Sequence, residues 1–134
     1  MKRIFLDSDI ILDALLKRPE FLVPAMNIIS LANINFKIVT SSVAFVNVHY
    51  FLDKFEKTNK LQLLARLRSI ISIIEVGETI IDLALKSGIN DFEDAVQYYS
   101  AMSVNADFII TRNIKDYKQS TIPVLTAEQF LRTL

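Results

Sequence analysis

The chain has 134 residues, of which 51% are hydrophobic and 22% charged, a composition typical of one folded domain with a sizeable core. It contains no cysteine and a single histidine, which excludes disulfides, thiolate metal sites and zinc sites built from several histidines. Fifteen basic residues balance fifteen acidic ones, so any attraction for nucleic acid must come from a local patch.

The N-terminal segment does not have the pattern of a targeting or membrane sequence. The opening run "MKRIFLDSDI" reaches Asp7 too early for a signal peptide. No uninterrupted apolar run reaches the roughly 18 residues expected of a membrane span. The sequence therefore predicts a cytoplasmic protein that does not contact a membrane.

Short strand-like segments alternate with longer helical ones. The strand-like runs are β-branched and nearly continuously apolar, as is typical of parallel strands buried on both faces. Gly88 and Thr126 have the chemistry of a helix C-terminal cap and a helix N-cap, respectively. The alternation predicts a right-handed, largely parallel α/β sandwich, one domain over residues 1–134. In chain order, strands are predicted at 3–6, 36–40, 72–76, 107–111 and 122–126, and helices at 9–17, 21–33, 42–55, 59–70, 78–87, 92–104 and 127–133.

Three acids distant in sequence are expected at the carboxyl edge of this sheet, where α/β proteins bind ligands. Asp7 follows the first strand, Asp116 lies just beyond the fourth, and Asp94 lies one turn into the preceding helix with Asp91 on the same face. Converging carboxylates would repel and raise one another's pKa values, a cost that a divalent cation relieves. With oxygen ligands only, Mg²⁺ or Mn²⁺ fits best. Such ions activate water and stabilise charge on phosphate, which predicts phosphodiester hydrolysis.

Each acid also has a simpler interpretation. Asp7 can cap the helix that follows it, and Asp94 can interact with the helix dipole. Asp116 lies in an Asn-x-x-Asp sequence that is also ordinary turn chemistry. Two further acids, Asp13 and Asp107, lie off this grouping and are interpreted as structural. The functional interpretation therefore depends on the acids acting together.

Three stretches of the sequence resemble PIN-domain nucleases. They are "RIFLDSDIILDALLKR", "VTSSVAFVNVHYFL" and "DFEDAVQYYSAMSVNADFIITRNIKDYKQSTIPVLTAEQFL", which in this order cover most of the chain. The resemblance implies a three-layer α/β/α sandwich with a five-stranded parallel sheet and a Mg²⁺- or Mn²⁺-dependent endoribonuclease. It also implies frequent use as the toxin of a bacterial toxin–antitoxin pair, a homodimer, and an antitoxin protein as partner.

Carried over position by position, the resemblance assigns metal binding and catalysis to Asp7, Asp94 and Asp116. Ser8 and Asp9 stand where the family often has threonine and asparagine. One departure matters, because Asn47 stands where the helix after the second strand usually supplies a glutamate, and asparagine brings no negative charge. The consequence is either weaker metal binding or compensation by a neighbouring acid, for which Asp91 is the candidate. The residues expected to support the site are Ser8, Asn47, Asp91, Thr111 and Asn113.

Two groups of basic residues are candidates for RNA contacts. Contacts of this kind give affinity and salt dependence without sequence selectivity. The first group flanks the proposed site and comprises Arg112, Lys115 and Lys118. The second comprises Lys54, Lys57, Lys60, Arg66 and Arg68, for which a solvated charged face is an equally good interpretation.

Two alternative functions remain open from the sequence. The first is a catalytically weakened or inactive PIN-like module that binds nucleic acid or protein, and Asn47 is its best evidence. The second is a phosphoacceptor signalling domain, which requires an acceptor aspartate after the third strand and a lysine after the fifth. The chain has "SIIEVGE" and "IPVLTAE" there, which argues against the phosphoacceptor function.

Overall fold

The computed structural model describes residues 1–55 and 59–134. Its centre is a five-stranded sheet with the order β3-β2-β1-β4-β5, in which every pairing is parallel. The strands are β1 (Lys2–Leu6), β2 (Phe36–Ser41), β3 (Ser72–Ile74), β4 (Phe108–Ile110) and β5 (Val124–Leu125).

Helices cover both faces of the sheet. They are α1 (Ser8–Leu15), α2 (Leu22–Ile29), α3 (Ser42–Phe55), α4 (Lys60–Ile70), α5 (Glu78–Lys86), α6 (Phe92–Ser103) and α7 (Ala127–Arg132), and a 3₁₀ helix spans Ile114–Tyr117. One core lies between the sheet and helices α1, α2, α3, α4 and α7, and the other lies between the sheet and α5 and α6. The predicted three-layer α/β/α sandwich with a five-stranded parallel sheet is confirmed.

Alternation along the central strand creates the two cores. Ile4 and Leu6 of β1 point into the first core, while Phe5 points into the second, and all three are fully buried. Since Ile4, Phe5 and Leu6 are covered on both faces of the sheet, this part of β1 is continuously apolar rather than alternating.

The predicted helix caps at Gly88 and Thr126 are present. Helix α5 ends at Lys86, and Gly88 follows with a φ of 76°, a left-handed conformation that glycine adopts without steric cost. At α7, the Thr126 hydroxyl accepts from the Gln129 N–H at 3.1 Å while the Gln129 side chain accepts from the Thr126 N–H at 2.9 Å. This reciprocal capping box fixes where the last helix begins.

The fold places the carboxyl ends of β1 and β4 side by side. Because β1 has β2 on one side and β4 on the other, the chain reverses its direction of winding there, as at other ligand-binding crevices of α/β sheets. The Asp7 N–H extends the pairing by donating to the Ile110 carbonyl at 3.0 Å. The acid after β1 is therefore held against the end of β4.

Candidate active site

Asp7 is the most firmly held of the predicted acids. As N-cap of α1, it accepts from the Ser8 N–H at 2.7 Å through Oδ1. Its other oxygen, Oδ2, accepts from the hydroxyls of Thr111 at 2.9 Å and Tyr117 at 3.0 Å. The capping and functional interpretations are thus compatible, because the cap uses one carboxylate oxygen and the two hydroxyls orient the other.

The surroundings of Asp7 disfavour its negative charge. Burial raises its pKa above the ordinary value, the hydrogen bonds from Thr111, Tyr117 and Ser8 oppose that rise, and the carboxylate of Asp116 adds to it. No basic side chain within residues 1–55 and 59–134 forms an ion pair with Asp7. Asp7 is therefore a partly buried acid whose charge is only partly compensated by hydrogen bonds.

Asp94 lies in the first turn of α6. Its N–H donates to Oδ1 of Asp91 at 3.0 Å, so Asp91 is the N-cap of this helix. Desolvation by burial raises the pKa of Asp94 to about 7, and the carboxylates of Asp116, Asp91, Asp7 and Glu93 contribute in that order. Asp94 thus lies in the field of several like charges.

Asp94 and Asp116 line the same cleft. This cleft has a volume of about 320 Å³ and lies between the start of α6 and the 3₁₀ helix that carries Asp116. Tyr117 lines it and donates to Asp7, which is not itself one of the lining residues. The structure therefore connects Asp7, through Tyr117, to the cleft that the other two acids line.

The three acids do not form a closed cage. Within the described part of the chain, no three acidic or histidine side chains lie close enough together to enclose a metal ion. The oxygens present fit a hydrated hard cation, because Mg²⁺ keeps several waters and takes only one or two carboxylates in most protein sites. The cleft is large enough for such an ion together with a phosphate.

Asp9 belongs to the hydrogen-bond network of the candidate site, although the sequence interpretation gave it no role. Its Oδ2 accepts from the Arg112 N–H at 3.0 Å and from Nδ2 of Asn113 at 3.2 Å, and it lies 3.3 Å from the Thr111 hydroxyl. Its Oδ1 is buried without a hydrogen-bond partner in the described residues. Burial raises the pKa of Asp9 to about 7, and the carboxylate of Asp7 adds to the rise.

Hydrogen bonds at Asp9 and Thr111 join the residues that follow β4 to the start of α1. The Thr111 hydroxyl has a single hydrogen and lies within reach of both Asp7 and Asp9, so it can donate to only one of them at a time. Asn113 joins the same group through Asp9. The position of Asp9, two residues after Asp7 at the start of the same helix, is the signal in the sequence that could have identified it.

Asn47, the departure from the family pattern, lies on α3 beside the start of α6. Its Nδ2 donates to Oε1 of Glu93 at 2.8 Å. The side chain at position 47 therefore contributes a donor where the family usually has a carboxylate, and the carboxylate next to it belongs to Glu93.

Arg112 is held away from the cleft. Its Nε lies 2.9 Å from Oδ2 of the fully buried Asp13, an ion pair without hydrogen-bond geometry, and its guanidinium lies 4.1 Å from the centre of the Phe21 ring. Arg18 donates to the other oxygen of Asp13 at 3.1 Å. These contacts confirm the structural interpretation of Asp13. They also show that the Arg112 side chain packs against other residues of the protein, which the predicted RNA contact did not anticipate.

The remaining predicted basic residues differ in position. Lys115 and Lys118 line the acidic cleft. In the other basic group, Lys60 pairs with Asp53 and Lys54 lies 4.4 Å from the centre of the Tyr50 ring, whereas Lys57 lies outside the described residues. Of the described residues in the two groups, Lys115 and Lys118 alone line this cleft.

Residues 1–55 and 59–134 contain no helix of the length and apolarity needed to cross a lipid bilayer.

Comparison with known proteins identifies the sequence family and the fold. A sequence model of the PIN domain matches residues 3–115. No curated protein sequence matches the chain. The structure resembles a toxin–antitoxin complex from Klebsiella pneumoniae, with a TM-score of 0.69, 23% identity, and coverage of 92% of this chain and 97% of that one. It also resembles VapBC2 from Rickettsia felis bound to a promoter DNA fragment, with a TM-score of 0.68, 23% identity, and coverage of 92% and 96%. For Mycobacterium tuberculosis VapC20, a Sarcin-Ricin loop cleaving toxin, the TM-score is 0.67, the identity 12%, and the coverage 79% and 86%.

Proposed function

This chain belongs to the PIN-domain family, and on that premise we propose that it is a Mg²⁺- or Mn²⁺-dependent endoribonuclease that hydrolyses RNA phosphodiester bonds in the cytoplasm. One observation carries the proposal. Asp94 and Asp116 line one cleft, Asp7 accepts a hydrogen bond from Tyr117 of the same cleft, and no basic residue in residues 1–55 and 59–134 forms an ion pair with any of the three.

The carboxylates of Asp7, Asp94 and Asp116 are the groups that would hold the cation. Their oxygen chemistry suits a hard divalent ion, and the raised pKa values of Asp7 and Asp94 are the cost that such an ion relieves. When bound, the ion supplies an activated water and stabilises the negative charge that develops on the phosphate.

The other residues of the site orient these groups. Thr111 and Tyr117 fix one oxygen of Asp7, and Asp91 caps the helix that carries Asp94. Lys115 and Lys118 line the cleft beside the acids, where their ammonium groups would contact phosphates of the RNA backbone. Lysines placed for phosphates beside acids placed for the cation suit an RNA strand that is bound through its backbone rather than through its bases.

A toxin role with a protein partner is the biological setting that we propose. Similar structures are described as a toxin–antitoxin complex and as a Sarcin-Ricin loop cleaving toxin. The chain also exposes large apolar side chains that suit protein contacts, among them Val46, Tyr50, Phe55 and Leu61 on α3 and α4. An antitoxin and a second copy of the chain are the partners proposed for such surfaces.

The test combines metal binding with cleavage. Calorimetric titration of Mn²⁺ into the wild type and Asp94→Asn is followed by incubation of both proteins with a mixed RNA pool, with EDTA as control. The proposal expects binding and cleavage by the wild type and the loss of both in the variant. A wild type that binds no Mn²⁺ at millimolar concentration and leaves RNA intact contradicts it.

Asn47 favours one second candidate, a PIN-like module that binds nucleic acid or protein without cleaving. In that case the wild type retains RNA on a filter in the presence of EDTA but yields no cleavage products with either metal. The titration above separates the two, because a binding module has no need of the cation.

A further inference from the structure

A second cavity lies beside the acidic cleft. It also has a volume of about 320 Å³, and residues of α1, α2, the segment after β4 and the start of α7 line it. Arg112 and Asn113 line this second cavity, whereas Lys115 and Asp116 line the cleft. Because two consecutive residues span at most about 7 Å, the two cavities are neighbours along one short segment of the chain.

The lining of the second cavity combines buried apolar residues with exposed polar ones. Ile10, Ala25 and Ala127 are buried, while Asn113 and Glu128 are exposed to solvent. A largely apolar lining with a few polar groups is typical of cavities that bind small organic groups. The second cavity thus differs in character from the acidic cleft, which three carboxylates line.

Arg112 and Phe21 form a cation–π pair in this lining. The guanidinium carbon lies 4.1 Å from the centre of the Phe21 ring, and Nε lies 2.9 Å from Oδ2 of the buried Asp13. These contacts hold the guanidinium in place, yet 33% of the Arg112 side chain remains exposed and Phe21 is only half-buried. Aromatic rings and guanidinium planes are the surfaces on which RNA-binding proteins stack unpaired bases.

The charges around this pair favour an uncharged occupant. The positive charge of Arg112 is already offset by Asp13, and Glu128 adds a carboxylate to the lining. A phosphate would meet these two acids, whereas a base would not be repelled. Polar groups that suit a base edge are also present, because Nδ2 of Asn113 donates to Asp9 and leaves the Asn113 carbonyl oxygen as an acceptor.

We propose that the second cavity binds one base of the RNA strand whose phosphate occupies the acidic cleft, and that this base stacks on Arg112 and Phe21. The inference rests on the proposed function and concerns sequence selection rather than the chemical step. Contacts to the backbone are the same for every sequence, so a base in the second cavity is where selection enters. The short separation of the cavities places that base one or two nucleotides from the phosphate that is cut.

RNA binding in EDTA tests the assignment without cleavage. Filter binding compares a short single-stranded RNA of mixed sequence with a ribose–phosphate strand of the same length that carries no bases. Phe21→Leu removes the ring and keeps an apolar side chain, and Arg112→Lys keeps a positive charge beside Asp13 and removes the guanidinium plane. Phe55→Leu is the control, because Phe55 is an exposed phenylalanine that lines neither cavity.

The proposal expects a loss that depends on the bases. The wild type binds the RNA about tenfold more tightly than the strand without bases, a factor typical of one base stacked on an aromatic ring. Affinity for the RNA falls about tenfold in Phe21→Leu and about threefold in Arg112→Lys, whereas affinity for the strand without bases stays the same in both. Phe55→Leu matches the wild type with both strands.

Cleavage of a random RNA pool in Mn²⁺ locates the base that is bound. Sequencing of the products is expected to show a base preference one or two nucleotides from the cut in the wild type and in Phe55→Leu. In Phe21→Leu that preference is weaker, although RNA is still cut, because Phe21 does not line the acidic cleft.

Two binding results would overturn the inference. One is wild-type affinity of Phe21→Leu for the RNA, and the other is an equal loss for both strands, which would show a general effect on the fold. If the wild type binds RNA through its bases but does not cut it, the proposed function fails and the second cavity remains a base site. If the wild type cuts RNA and Phe21→Leu shows the same base preference, this inference alone fails.

Discussion

Replacing Asp94 with asparagine is expected to stabilise the metal-free protein at high pH. The pKa of this carboxyl is raised from an ordinary 3.8 to about 7 by burial and by neighbouring carboxylates. A group with a raised pKa in the folded state contributes stability that is fully present below its unfolded value and is lost as the pH rises through the folded value. The wild type therefore loses stability between about pH 4 and pH 7, and the variant lacks this loss.

The magnitude follows from the size of the pKa change. Each tenfold change in proton affinity corresponds to about 1.4 kcal/mol, which sets an upper limit of about 4 kcal/mol. Since Asp94 is only partly buried, solvent screening reduces the expected gain to about 1 kcal/mol.

Urea unfolding in EDTA at pH 4.5 and pH 8 measures this difference. We expect the free energy of unfolding of Asp94→Asn to exceed that of the wild type by about 1 kcal/mol at pH 8 and to match it closely at pH 4.5. Asp82→Asn removes an exposed acid of α5 that does not line the cleft, so it serves as the control for loss of a charge. A variant that is less stable than the wild type at pH 8, or a gain that is the same at both pH values, refutes the argument from the raised pKa of Asp94.

Three further changes probe the hydrogen bonds, the buried ion pair and the basic residues. Tyr117→Phe removes a donor to Asp7, so the Mn²⁺ affinity of this variant is expected to fall severalfold. The loss should be smaller at higher pH, and Mn²⁺ titrations at pH 6.5 and 8.5 check this. Asp13→Ala is expected to lower the free energy of unfolding by about 2 kcal/mol, less than for a fully enclosed pair because its arginines keep contact with solvent. Urea unfolding measures that loss, and a change below about 0.5 kcal/mol contradicts it. Replacing both Lys115 and Lys118 with alanine is expected to weaken RNA binding and to reduce its logarithmic salt dependence by about 2, which filter binding at several salt concentrations detects. Unchanged salt dependence would place the RNA elsewhere.

The strands and helices were predictable because local sequence determines them. Continuous β-branched runs predicted all five strands, although three are shorter than expected, and the fifth comprises only Val124–Leu125. Pro123 explains part of this, since proline has no N–H to donate to a neighbouring strand, although its carbonyl still accepts from the Ile109 N–H at 2.9 Å. The order of strands was not predictable, because a strand buried on both faces does not reveal its neighbours.

The contacts within the site were harder to predict because they join distant residues. Tyr117 reaches Asp7 across 110 positions from a 3₁₀ helix that the sequence did not indicate. Asn47 was recognised as a departure from the family pattern, but its partner Glu93 is 46 positions away, and only the packing of α3 on α6 reveals the pair. The sequence thus identified acids that face the cleft and missed some of the groups that hold them.

Bound metal is expected to decide whether Asp94→Asn or the wild type is the more stable protein. Without metal, the raised pKa values of Asp7, Asp9 and Asp94 reflect carboxylates that the fold disfavours as anions. A ligand at 100 times its dissociation constant stabilises the folded state by about 2.7 kcal/mol, which exceeds the gain of about 1 kcal/mol expected from Asp94→Asn. Adding saturating Mn²⁺ at pH 8 should therefore reverse the order, with the wild type more stable than the variant. If the variant stays more stable at every Mn²⁺ concentration, the burial and mutual repulsion of these acids are not a cost of holding the cation.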